Sequence, residues 1–131
     1  MMKILQPPGW PRAKGFSNGI SARGRLVFVA GQIGWTGQGE WKEKGFAGQF
    51  RQTLKNILEV LAQDGGKPEH IVRMTWYVLD KDEYLKALMG IGVAYRELMG
   101  RHYPAMAVTQ VGGLIESEAR LEIEATAVIP E

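Results

Sequence analysis

The sequence contains no cysteine. Disulfide bonds, thiolate zinc sites, iron–sulfur clusters and thiol nucleophiles are therefore excluded. The 131 residues include only two histidines, so a histidine-rich metal centre is excluded as well. No apolar run approaches the length of a membrane-spanning helix, and the N-terminal residues lack the apolar stretch of a signal peptide. We therefore expect a cytoplasmic protein with no metal site, no other cofactor and no contact with a membrane.

The chain also lacks a marked excess of charge of either sign. Sixteen Lys and Arg residues face fourteen Asp and Glu residues, and the net charge is +2. Proteins that bind nucleic acids usually carry a larger basic excess or a basic stripe, whereas residues 42–44 and 81–83 interleave both signs. No nucleic-acid partner is expected. Hydrophobic residues make up 45% of the chain, which is typical of one globular domain over residues 1–131.

The pattern of apolar residues predicts the element order β-β-α-β-α-β-β. The predicted elements are strands at 16–21 and 26–30, a helix at 46–63, a strand at 71–79, a helix at 82–99, and strands at 105–111 and 119–128. We interpret the first two strands as a hairpin, because only a short turn separates them. Asp80 is positioned to cap the second helix, and Gly90 and Gly92 within that helix indicate a close approach or a break.

Two amphipathic helices can cover only one face of such a sheet, which predicts an α+β fold with one mixed sheet and both helices on one face. In the last strand, apolar residues alternate with Glu122, Glu124 and Thr126. The uncovered face would combine these carboxylates with apolar residues of a neighbouring strand, either Met74 and Trp76 or Ile71 and Tyr77. Such a half-apolar face predicts self-association, with carboxylates at the subunit boundary.

The paired carboxylates Glu122 and Glu124 have two interpretations. If an interface desolvates one of them, its pKa rises and it can transfer protons near neutral pH. Alternatively, both are ordinary solvent-facing residues at an edge, which the spacing alone favours. His102 beside Arg101 also has two interpretations, an anion-binding site or a solvated loop, and the solvated loop is favoured.

A resemblance to a known family changes the weighting of these alternatives. It rests on residues 28–34 (Phe-Val-Ala-Gly-Gln-Ile-Gly), 52–57 (Gln-Thr-Leu-Lys-Asn-Ile), 71–78 (Ile-Val-Arg-Met-Thr-Trp-Tyr-Val), 103–105 (Tyr-Pro-Ala) and 121–125 (Leu-Glu-Ile-Glu-Ala). In order and spacing these segments resemble the reactive-intermediate deaminase family, also called RidA, YjgF or L-PSP. The resemblance implies a chorismate-mutase-like fold and a homotrimer whose sheets form a central barrel. It also implies that small-molecule ligands bind in clefts between the subunits.

The same resemblance implies a set of site residues that departs from the deaminating members of the family. Those members hold the substrate carboxylate with an arginine after the Pro-Ala pair, where this chain has Met106. Glu122 matches the family's acidic residue and would be catalytic, by positioning water or transferring a proton. The substrate-binding residues implied by the alignment are Phe16 in place of a tyrosine, Ala30 in place of a serine, the Gly31-Gln32 turn, Gly92 in place of an asparagine, and Met106. Arg101 or Arg120 could restore part of the lost charge if either reached the cleft.

From these residues we expect a cofactor-independent deaminase or hydrolase that acts on an imine or enamine with altered specificity. The alternative is a trimer that binds a metabolite without converting it. A ribonuclease or translation inhibitor is the weakest interpretation, because the charge is near neutral and the chain lacks a histidine pair suited to RNA cleavage.

Overall fold

The computed structural model describes residues 2–131, which form a four-stranded mixed sheet with helices on one face and a two-stranded sheet beside it. The strands are β1 (Met2–Leu5), β2 (Gly19–Ala22), β3 (Arg25–Gln32), β4 (Ile71–Val78), β5 (Ala105–Gln110) and β6 (Leu121–Ile129). The helices are α1 (Phe46–Ala62), α2 (Lys81–Lys86) and α3 (Leu88–Met99), and a short 3-10 helix, Pro68–His70, precedes β4. This architecture confirms the predicted α+β class. No helix within residues 2–131 has the length and apolar character needed to span a bilayer.

The main sheet has the strand order β3-β6-β4-β5. Strand β6 is antiparallel to both of its neighbours, and β5 is parallel to β4 because α2 and α3 form the crossover between them. The alternation predicted for the last strand is confirmed, because Leu121, Ile123 and Ala127 are fully buried under the helices. Glu122 and Glu124 therefore lie on the opposite face of this strand.

The predicted hairpin between residues 16–21 and 26–30 is wrong. Strand β2 pairs with β1, which the sequence analysis missed, and β3 pairs with β6. A two-residue hairpin turn of the favoured types needs a positive φ at its first central residue. Of Arg23 and Gly24 only the glycine has a positive φ, so the chain passes from one sheet to the other at this point.

The second predicted helix is divided into α2 and α3 at Ala87, which precedes both glycines. Asp80 caps α2 as predicted, because its side chain accepts hydrogen bonds from two backbone N–H groups of the first turn. Gly90 marks the predicted close approach, since a Cβ there would lie only 2.9 Å from the Cβ of Ala47 on α1. The glycine thus permits α1 and α3 to pack closely.

The core lies between α1 and the sheet. Phe50, Leu54, Ile57 and Leu61 form the apolar stripe of α1 and are fully buried. Burial of each such side chain contributes about 1.5–3 kcal/mol. Phe50 stacks on Trp76 of β4 with ring centroids 4.8 Å apart, and this contact packs α1 against β4.

The outer face of the sheet is less apolar than expected. Met74 and Trp76 point into the core, so the first of the two alternatives is excluded. An irregularity between Ile71 and Arg73 turns Ile71 into the core as well, and Tyr77 alone of the second pair lies on the outer face. The exposed Phe28, with 71% of its surface accessible, supplies an apolar group on β3.

Candidate active site

A pocket of about 460 Å³ lies at the β5 edge of the main sheet, between that strand, α3 and the segment that precedes β2. This volume is in the range of small-molecule sites. Three of the predicted substrate-binding residues, Phe16, Gly92 and Met106, line it together. Met106 is in register with Met74 and therefore shares the helix-covered side of the sheet.

Ser17 holds Phe16 at this pocket. Its backbone N–H donates to the carbonyl of Pro104 at 3.1 Å, and its hydroxyl donates to the carbonyl of Tyr103. Ser17 also forms an isolated bridge to Ala105, the first residue of β5. The segment that carries Phe16 is thus attached to the start of the strand that carries Met106.

Five aromatic side chains line the pocket. Tyr95 and Tyr103 stack with parallel rings 5.2 Å apart, and Tyr84 packs edge-on against Trp76 at 6.2 Å. Burial raises the pKa of the Tyr84 and Tyr95 phenols, so both remain neutral at physiological pH. The indole N–H of Trp76 is buried and has no hydrogen-bond partner within residues 2–131. The wall therefore suits an apolar ligand with a few polar groups.

Arg96 also lines this pocket, and the sequence analysis missed it. Its guanidinium lies over Gly92, because a Cβ at that glycine would be 3.5 Å from Nη1 of Arg96. The signal in the sequence was the spacing of four residues on a helix, which places the two side-chain positions one above the other. The arginines named instead do not line this pocket: Arg120 pairs with Glu83 at 2.8 Å, and Arg101 lines a neighbouring pocket.

The other predicted site residues form a second group around the β3–β6 pair. The pairing shifts register between Val29 and Gln32, so Ala30 and Gly31 form an irregularity beside Glu122. A Cβ at position 31 would overlap the Glu122 carboxylate, so a larger residue there would force this carboxylate to move. The Gln32 side chain donates to the Ala30 carbonyl at 3.1 Å and so closes the turn on itself.

The two neighbouring carboxylates differ in their surroundings. Glu122 is half-buried, whereas Glu124 is exposed. The Tyr77 hydroxyl donates to Glu124 at 2.5 Å, and this hydrogen bond raises the pKa of Tyr77. A shallow groove of about 320 Å³ contains both carboxylates, Tyr77 and residues of the 111–115 loop.

Within one chain the two groups do not form a single site. The Met106 group lies on the helix-covered side of the sheet, whereas Glu122 lies on the outer face. A cleft that uses both groups needs a second copy of the chain.

The two histidines have local structural roles. The His102 ring donates from Nε2 to the Ile71 carbonyl at 2.6 Å, so this residue ties the end of α3 to β4 and is not a solvated loop histidine. The His70 ring accepts from the Lys67 backbone N–H at 3.0 Å. Residues 2–131 contain no cluster of three His, Asp or Glu side chains arranged to hold a metal ion.

Comparison with known proteins identifies the family. The family model described as endoribonuclease L-PSP matches residues 10–129. The chain belongs to this family. This L-PSP chain is similar to the 2-iminobutanoate/2-iminopropanoate deaminase of Homo sapiens. The two are 30% identical over 105 residues, which cover 79% of this chain and 73% of the human protein. A RutC family protein of Pyrococcus horikoshii is also 30% identical, over 97% of this chain and 98% of its own length.

The fold of this L-PSP chain also matches solved structures. The crystal structure of YyfB from Yersinia pestis, described as a protein of unknown function of the conserved Rid family, superposes with a TM-score of 0.87. The two chains are 28% identical, and the match covers 98% of each. The predicted RidA/YjgF family membership is confirmed.

Proposed function

We propose that this L-PSP family protein is a cofactor-independent deaminase that hydrolyses imines or enamines in clefts between the subunits of a homotrimer. The observation that carries the proposal is the half-buried Glu122 carboxylate packed against the backbone of Gly31. Relatives at about 30% identity are named imine deaminases, which supports the same reaction class.

The chemistry requires only water and proton transfer. Water adds to the carbon of the C=N bond, the nitrogen leaves as ammonia, and a carbonyl compound remains. Glu122 accepts a proton from the attacking water and passes it to the nitrogen, which gives a carbinolamine. It then accepts the hydroxyl proton of the carbinolamine and passes it to the nitrogen, which leaves as ammonia, so the carboxylate is unchanged at the end. Backbone N–H groups at Gly31 and Gln32 would donate to the oxygen that develops negative charge.

The division of the site supports an assembly of at least two copies, and the family resemblance sets the proposed number at three. Because the Met106 group and Glu122 lie on opposite sides of the sheet, a complete cleft takes one group from each of two copies. The exposed Phe28 and the carboxylates on the outer face supply the surface through which the copies would meet. A cytoplasmic location is part of the same proposal.

Met106 sets the specificity in this account. A substrate carboxylate that enters a partly desolvated cleft loses hydration at a cost on the order of several kcal/mol, unless a cation replaces it. Methionine offers neither charge nor a hydrogen-bond donor. We therefore expect the smallest 2-imino acids, whose carboxylate would lie beside Met106, to be poor substrates.

A trimer that binds a metabolite without turnover is the second candidate. The replacement of polar site residues by Phe16, Gly92 and Met106 favours it, because the pocket they line is largely apolar. Ribonuclease activity, the activity in the family model's description, has no support in the nearly balanced charges of the chain.

Kinetics of imine hydrolysis distinguish the candidates. An amino-acid oxidase generates the imine, semicarbazide traps what remains, and a deaminase lowers the rate of semicarbazone formation. We expect Glu122→Gln to abolish this effect, while the matched Glu124→Gln retains most of it. Thermal stabilisation by the 2-oxo acid, with no effect of the wild type on the semicarbazone rate, would support the binding protein instead. Equal losses in the two variants would contradict the role of Glu122.

A further inference from the structure

We propose that Arg96 binds the substrate carboxylate in the pocket beside α3, and that this pocket selects 2-imino acids with an aromatic or other large apolar side chain. The inference rests on the proposed function for the reaction and on the pocket geometry for the ligand class. It places the anion-binding cation on a helix, at a different position from the strand residue Met106.

The relation between Gly92 and Arg96 carries the first step. Because glycine has no side chain, the guanidinium of Arg96 lies back over the preceding turn and reaches the pocket. A Cβ at position 92 would make van der Waals contact with Nη1 at 3.5 Å, so a longer side chain would extend into the space beside the guanidinium. The glycine and the arginine thus act as one feature of the helix.

The charge of Arg96 is not neutralised within residues 2–131. The ion pairs there involve Arg25, Lys44, Arg51 and Arg120. The adjacent Glu97 pairs with Arg51 on α1 at 2.9 Å and not with Arg96. A guanidinium without a partner at a pocket is suited to a carboxylate, which it can bind with two parallel hydrogen bonds.

The rest of the pocket has a consistent character. Lys14 adds a second cation, and no Asp or Glu of residues 2–131 lines the cavity. The rest of the lining is largely aromatic and aliphatic, with Phe16, Trp76 and Tyr103 among the aromatic members. Two cations in a cavity with such a lining fit an anion that carries a bulky apolar group.

The volume of about 460 Å³ accommodates a substrate with a phenyl ring. A substrate with only a methyl group would leave part of the pocket unfilled. Burial of the additional apolar surface of a phenyl ring corresponds to roughly 30-fold tighter binding or more. Loss of a bidentate, charge-assisted contact corresponds to a decrease of about 10- to 100-fold. These two factors define the experiment.

Calorimetric titration with non-reactive product acids tests the proposal without turnover. We expect phenylpyruvate to bind at least about 30-fold more tightly than pyruvate. Arg96→Gln should lower the affinity for phenylpyruvate by about 10- to 100-fold. Gly92→Asn, which keeps the arginine but displaces it, should also weaken binding. The control Arg23→Gln removes the same charge from an exposed turn outside this pocket and should have no effect.

Three results would overturn the proposal: unchanged affinity in Arg96→Gln, equal affinity for pyruvate and phenylpyruvate, or transfer of the loss to Arg101→Gln in the neighbouring pocket. Failure of the proposed function gives a different pattern. If phenylpyruvate binds through Arg96 but no imine is hydrolysed, the carboxylate pocket stands and the deaminase proposal fails. If imines are hydrolysed with no dependence on Arg96, the deaminase proposal stands and the carboxylate pocket fails.

Discussion

Gln49 joins three separate parts of the chain, and its replacement should destabilise the fold strongly. The side chain is 2% exposed on α1. Its Nε2 donates to the carbonyls of Glu118 at 2.9 Å and Glu43 at 3.2 Å, and its Oε1 accepts from the Arg120 backbone N–H at 2.8 Å. Gly34 packs directly on it, since a Cβ there would lie 2.7 Å from the Gln49 Cβ. Gln49 therefore holds the loop that leads into β6 and Glu122.

Gln49→Met keeps the length and approximate shape of the side chain but removes all three hydrogen bonds. Each buried polar group left without a partner costs about 1–3 kcal/mol, and partial rearrangement of the loops brings the expected total to about 2–4 kcal/mol. For a chain of 131 residues this corresponds to a decrease in Tm of roughly 7–15 °C. Urea denaturation and calorimetry at one fixed protein concentration measure both quantities.

The matched control is Gln52→Met, one turn further along the same helix. Gln52 is only partly buried and makes one side-chain hydrogen bond, from its Nε2 to Oδ1 of Asn56 at 2.9 Å. Its loss should cost less than about 1 kcal/mol. Equal destabilisation by the two substitutions would refute the reasoning, because the effect would then come from methionine on this helix and not from the lost bonds.

Three further predictions follow from the pocket, the core and the outer face of the sheet. Met106→Arg should raise kcat/KM for the smallest 2-imino acids by about 10- to 100-fold in the semicarbazide assay, and equal efficiency in wild type and variant would contradict the role given to Met106. Burial raises the folded-state pKa of Tyr95 above 10.0, so its contribution to stability is complete below pH 10 and is lost as the pH rises further. Tyr95→Phe should therefore flatten the alkaline decrease in the urea midpoint, and an unchanged slope would contradict this cause. Light scattering at micromolar concentration should give about three times the chain mass of 14.6 kDa, whereas a monomer would contradict the shared cleft.

The elements that could be predicted from the sequence are those with a long, strict apolar period. Helix α1 and strand β6 have such patterns, and each was placed within two residues of its observed ends. Strand β1 was missed because four residues before a proline-rich segment carry too short a pattern. The hairpin prediction failed because sequence proximity suggested a pairing that the backbone conformation of Arg23 does not permit.

The arrangement of the candidate site residues could not be predicted from the sequence. Phe16, Gly92 and Met106, which the resemblance names as substrate-binding, line one pocket, and their role in binding stays a prediction. Their separation from Glu122 depends on which side of the sheet each side chain occupies. The sequence pattern alone does not give this side, because an irregularity such as the one between Ile71 and Arg73 in β4 shifts the alternation. The resemblance did not predict Arg96, because the resemblance compares residues at matching positions. The guanidinium of Arg96 reaches the pocket from one helical turn away.

The most direct test of the account is the hydrolysis of the phenylalanine-derived imine by the wild-type protein. An amino-acid oxidase supplies the imine at a constant rate, and semicarbazone formation is followed as protein is added. We expect wild-type protein to lower the semicarbazone rate in proportion to its concentration, and Glu122→Gln to have no effect at any concentration. A semicarbazone rate that the wild type leaves unchanged, or that Glu122→Gln lowers equally, would contradict the proposed deaminase.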